Sequence, residues 1–113
     1  MKKAFSAHHV LADLLMDLQM ALQDCGVWEC DVPTQSALQS VAPFCIDTMT
    51  FGQWLRFVMM ERFKTMLETG SPLPANCHIS PMAEDAFKGL EPVKVACIVD
   101  CLNRIDQHLG NLA

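Results

Sequence analysis

A chain of 113 residues, 51% hydrophobic and 19% charged, is long enough for one domain with its own core and too short for two. Thirteen acidic against eight basic side chains give a formal charge of −5. That balance argues against nucleic-acid binding, which needs clustered Lys and Arg, and disfavours an anionic membrane surface, while leaving a basic protein partner open.

Lys2 and Lys3 followed by apolar residues imitate the start of a leader, but His8, His9 and Asp13 interrupt the run, so cytosolic (cytoplasmic) residence is expected. Phe5, Leu11, Leu15, Leu18, Leu22 and Cys25 recur at three- and four-residue steps and predict a helix over about 4–25, with Gly26 as its left-handed stop. Pro33 and Thr34 lead into a short helix to about Ser40; Pro43 blocks its continuation and biases Ala42 toward extended backbone. Thr50-x-x-Gln53 is a capping box, in which the threonine oxygen accepts a backbone N–H three residues on and the glutamine reaches back. It opens a helix with Phe51, Trp54, Leu55, Val58, Met59, Phe63, Met66 and Leu67 on its apolar side, ended by Gly70 and Pro72.

Ser80 as N-cap and Pro81 at the first helical position start a short helix to about Phe87, which Gly89 breaks. Glu91-Pro92 begins a longer one with Val95, Ile98, Leu102, Ile105 and Leu109 inward and Gly110 at its close. No stretch alternates with period two long enough for a strand. The expected fold is a single all-α domain over 1–113: a compact antiparallel bundle of about four helices, three long and one or two short.

Chemistry-bearing patterns are sparse. Six cysteines (25, 30, 45, 77, 97 and 101) include no C-x-x-C pair. Cys97 and Cys101 share a helical face and could join Cys77 and His78 around zinc, but reduced thiols are the simpler reading, and no cofactor is expected. The serines lack a nucleophile elbow; there is no glycine-rich phosphate loop and no H-E-x-x-H. Glu84 and Asp85 are expected in the first turn of their helix, where the dipole favours anions, rather than as an acid–base pair. No enzyme activity is expected. Eight methionines exceed what one apolar stripe can hold, so core gap-filling competes with an exposed adaptable groove.

Arg62 falls on the predicted inward row Phe51–Leu55–Val58–Arg62–Met66, where an arginine must snorkel or pair. Asp47 is the expected partner and Asp100 its rival; a ligand-anchoring arginine is the alternative. Trp54→Ala is expected to cost about 3–5 kcal/mol if the ring is buried.

The block Pro43-Phe44-Cys45-Ile46-Asp47-Thr48-Met49-Thr50-Phe51-x-x-Trp54-Leu55-x-Phe57-Val58, with Arg62, the Pro72–Asn76 loop and Ile79–Glu84, resembles the YqcC-like family of small bacterial proteins. The resemblance covers most of the chain and implies a helical bundle without an assigned activity. Members are often encoded beside a tRNA pseudouridine synthase, which implies a non-catalytic accessory role in tRNA modification, exercised through a protein partner. They commonly carry proline where this chain has Glu61, so the helix here is expected to run unkinked, because Glu keeps the backbone donor. The candidate recognition residues are Asp47, Thr48, Met49, Trp54 and Arg62, with capping and core packing as their structural reading. A small-anion or small-molecule site beside Arg62 is the alternative function. Self-association is left open.

Overall fold

In the computed structural model, residues 2–112 are described, with side chains from residue 7 onward. The first helix, α1 (Lys2–Cys25), places Leu11, Leu15, Leu18 and Leu22 of the predicted stripe in the core, adds Leu14 to them and leaves Cys25 half-buried; the side chain of Phe5 lies outside the described residues. Gly26 ends it at φ 80°, a conformation that costs glycine no Cβ clash. The short α2 (Gln35–Leu38) is capped by Thr34, whose Oγ1 accepts the Ala37 N–H at 3.1 Å. Ala42 is extended, as Pro43 requires.

Thr50 and Gln53 form the capping box: Thr50 Oγ1 accepts the Gln53 N–H at 3.1 Å, and Gln53 Oε1 accepts the Thr50 N–H at 2.9 Å. It opens α3, which begins at Phe51–Trp54, widens into a π turn over Leu55–Met59 and continues as Met60–Thr69 to Gly70 at φ 69°. The helix is unbroken at Glu61, as expected, but it is not regular. In the wide turn the Met60 N–H donates to the Leu55 carbonyl five residues back.

That turn overturns one expectation. A regular helix would keep residue 62 in line with Phe51, Leu55 and Val58. The wide turn admits one extra residue, so the row in the main core runs Phe51, Leu55, Met59, Met60 and Phe63, Val58 is buried instead against Cys45 and Met49, and Arg62 is left on the exposed side.

The next helix, α4 (Ser80–Ala86), buries Ala83. Ser80 is not its cap: Ile79 already has helical backbone, and the free N–H groups of Ile79 and Ser80 donate to the Asp106 carboxylate from the last helix. Glu84 and Asp85 fall in the second turn of α4, not its first, and are exposed. Gly89 turns the chain at φ 95° into α5 (Pro92–Gly110), which buries Ile98, Cys101, Leu102, Ile105 and Leu109.

The fold is all-α. Long α1 and α5 run antiparallel: His108 meets the Ala7 carbonyl at 2.9 Å, and Arg104 reaches Asp17 at 3.4 Å farther along. One core joins α1, α3, α4 and α5; Cys45, Met49 and Val58 form a small second cluster under the 43–49 segment. No described helix is long and apolar enough to cross a membrane.

Candidate functional site

The Pro43–Cys45 turn is the most strained segment among the described residues. Phe44 (φ 57°) and Cys45 (φ 49°) both adopt left-handed backbone, which costs an L-residue about 1–2 kcal/mol. The strain is held by packing. The Phe44 ring meets Trp54 edge-on at 4.9 Å and Phe51 at 5.8 Å; Phe51 in turn stacks with Trp54 and tilts against Phe87. Aromatic pairs in these geometries add about 0.5–1.5 kcal/mol each beyond area burial.

The five predicted recognition residues do not form one cluster. Asp47 is exposed and accepts a hydrogen bond from the Ser40 hydroxyl. Thr48 Oγ1 donates to the Ala37 carbonyl at 2.8 Å and thereby ties the segment to α2. Met49 is buried against Cys45 and Val58. These three order the turn.

Trp54 and Arg62 do come together. They line a cavity of about 270 Å³ between α3 and the loop before α4, with Met59, Phe63, Met66, Pro74, Cys77 and Ile79 completing an apolar wall. Trp54 is half-buried. Arg62 has no polar partner among the described residues: the expected Asp47–Arg62 pair is not formed, and Asp100 pairs instead with Arg104 at 3.1 Å. The physical reason is again the wide turn, which aims Arg62 away from the core side. Burial, and then the nearby Asp106 carboxylate, push the Cys77 thiol above its ordinary range, so it faces the cavity as a neutral group.

Several structural residues carry no sequence signal of their roles. The Arg56 guanidinium lies 4.3 Å from the Trp28 ring centroid and 5.0 Å from that of Phe57, and its Nη1 donates to the Trp28 carbonyl at 2.6 Å. Gln53 Nε2 donates to the Asp31 carbonyl, and His8 Nε2 lies 2.8 Å from the Ser71 carbonyl. Each joins segments far apart in the chain. Nothing local to Arg56 identifies Trp28 as the ring it covers.

The methionines divide. Met49, Met59 and Met60 are buried and Met66 and Met82 partly so, whereas Met16 and Met20 are exposed. The cysteines are all free, and no group of three or more His, Cys, Asp or Glu side chains among the described residues is arranged to hold a metal ion.

Residues 10–108 match the DUF446 family model, described as tRNA pseudouridine synthase C. The chain belongs to this family. An uncharacterized protein of Haemophilus influenzae is 40% identical over 74 residues, covering 66% of this chain and 70% of that protein. The uncharacterized protein YqcC of Escherichia coli is 28% identical over 92 residues, 81% of this chain and 84% of its own length, in keeping with the resemblance carried by the Pro43–Val58 block. A tRNA pseudouridine synthase C of Pectobacterium carotovorum is 28% identical over 86 residues, which are 74% of this chain but only 23% of that protein. This family member thus spans under a quarter of that relative. No solved structure matches the sequence significantly.

Proposed function

We propose that the protein is a non-catalytic accessory unit that works by binding another protein, and that the partner is a tRNA pseudouridine synthase. One observation carries the reading: the relative named tRNA pseudouridine synthase C holds the similar segment as less than a quarter of its length, so most of that chain lies outside it. A unit joined to a larger protein in one organism is a natural docking partner for the separate protein in another. The polar side chains fit this picture, because Asp106, Arg56, Gln53, His8 and His108 are each committed to joining backbone segments. Action beside a tRNA-modifying enzyme would place the protein in the cytoplasm, and its acidity suits a basic enzyme surface while disfavouring tRNA itself.

The test is calorimetric titration of the purified chain into the full-length synthase of the same organism. A saturable complex with Kd in the micromolar range or below is expected. No heat with either protein at about 100 μM, where a micromolar complex would be nearly saturated, overturns the partner.

A second reading rests on the cavity beside Arg62. A guanidinium with no polar partner among the described residues, at the rim of an apolar slot, fits a small carboxylate with an apolar body, anchored by charge and held by Trp54, Phe63 and Met66. Aromatic and aliphatic monocarboxylates should then raise the unfolding midpoint of the protein but not of Arg62→Gln. Equal response in both removes the site.

A further inference from the structure

A second open apolar surface lies along the seam of α1 and α5, lined by none of the residues around the Arg62 cavity. Met16 and Met20, one turn apart on α1, are 65% and 64% exposed, and Val93 on α5 is 71% exposed. Met20, Ala21, Val93, Ala96 and Cys97 line a groove of about 1040 Å³. Bare methionine costs more to hydrate than a polar residue would, and its flexible thioether adapts to varied apolar shapes.

The charges around the groove are predominantly negative. Asp17, Asp24 and Asp100 border it, and the single cation among its lining residues, Arg104, is engaged by two of them, at 3.4 Å to Asp17 and 3.1 Å to Asp100. Asp24 has no ion pair among the described residues, and Lys94, just outside, is paired with Glu91. An apolar floor between carboxylate edges suits an occupant with the inverse pattern. A second copy of this chain would set aspartates against aspartates in a protein already at −5.

We propose that the α1–α5 groove binds a cationic amphipathic helix of a partner protein, its apolar stripe on Met16, Met20 and Val93 and its Lys and Arg side chains against Asp17, Asp24 and Asp100. Side-chain anchors at one- and two-turn intervals match the spacing of such a groove. The inference rests on the accessory reading only in taking a protein as the occupant.

The probe is an 18-residue Lys/Leu amphipathic peptide, with a Glu/Leu peptide of the same pattern as its counterpart, titrated into the whole protein and followed by calorimetry and by backbone and methyl NMR shifts. The Lys/Leu peptide should bind with shifts centred on Met16, Met20, Val93 and Cys97, and added salt should weaken it. The exposed pair Met20→Ser/Val93→Ser should weaken it about tenfold or more, roughly what withdrawing two anchors costs. Asp24→Asn should weaken it and flatten its salt dependence, while Glu68→Gln, on α3 and outside the groove lining, should leave it unchanged. Equal binding of both peptides, shifts elsewhere, or indifference to Met20→Ser/Val93→Ser overturns the groove. So does a dimer of the protein alone that the same pair of substitutions dissolves. If the peptide binds here but the synthase does not bind, the accessory reading falls and the groove stands. If the synthase binds with unchanged affinity to Met20→Ser/Val93→Ser and the peptide does not displace it, the groove falls and the accessory reading stands.

Discussion

The Asp106 carboxylate accepts the Ile79 N–H with both oxygens, at 3.1 and 2.9 Å, and the Ser80 N–H at 2.9 Å, so a residue of α5 caps the start of α4 from 26 positions along the chain. The loop before α4 is therefore fastened to α5. Half-buried charge-assisted bonds of this kind contribute about 1.5–3 kcal/mol, and Asp106→Ala should lower unfolding stability by roughly that amount. Asp106→Asn keeps one acceptor and should cost less. Both variants remove a negative charge beside Cys77, so its thiol should titrate at lower pH than in the wild type. Chemical denaturation and the pH dependence of Cys77 alkylation measure the two effects.

Arg56 over Trp28 ties the 27–33 segment to α3 by a stacked cation and a carbonyl hydrogen bond together. Arg56→Ala should destabilise the protein by about 1–3 kcal/mol and shift Trp28 fluorescence to the red. Arg56→Lys should recover less than half of the loss, because an ammonium cannot present a planar face to the ring. Recovery to wild-type stability would show that charge alone is used.

The reading of α1, of the Thr50–Gln53 box and of the inward row of α5 needed only local chemistry, because periodicity and caps act within a few residues of one another. Arg62 lies off the row that its spacing predicts for the opposite reason. Its face depends on a wide turn that the 3.6-residue repeat does not foretell, and the tertiary packing that favours the turn is not local. The Asp106 cap and the Arg56–Trp28 stack join residues 26 to 28 apart, so their endpoints have no signature in either stretch. Of the candidate recognition residues, the turn-ordering roles of Asp47 and Thr48 are what a capping interpretation anticipates, whereas the cavity shared by Trp54 and Arg62 and the burial of Met49 against Val58 depend on packing that the sequence does not spell out.

Phe44 offers a test in which the usual order of substitutions reverses. Removing its ring costs the contacts with Trp54 and Phe51, about 2–4 kcal/mol for a half-buried phenylalanine. Glycine nevertheless should be better tolerated than alanine by about 1 kcal/mol, since only glycine occupies φ 57° without strain. Trp54 is half-buried rather than enclosed, so Trp54→Ala should cost about 2–3 kcal/mol, below the range for a fully buried ring. Denaturant midpoints of the three variants decide both points.

Burial raises the Cys101 thiol above its ordinary 9.0, with Arg104 opposing the shift, and raises Cys77 as well. A thiol held neutral in the fold but free to ionise in the unfolded chain stabilises the native state fully below pH 9.0. That contribution is lost as pH climbs from the unfolded value through the folded one. Stability should therefore decline above about pH 9, and less steeply in Cys101→Ala. In the native protein, iodoacetamide should label exposed Cys97 well before buried Cys101, four residues away; mass spectrometry of the labelled peptides checks the order.

The wide turn of α3 leaves the helix with one residue more than its span requires. Excising Phe57 would let the coil close to an ordinary repeat while Phe63, Met66 and Leu67 still point to the interior. The same excision from the middle of α1 would swing everything beyond it by about 100° and turn leucines to water. This helix can thus shorten by one position during descent with little disturbance to its neighbours, a latitude that α1 does not share.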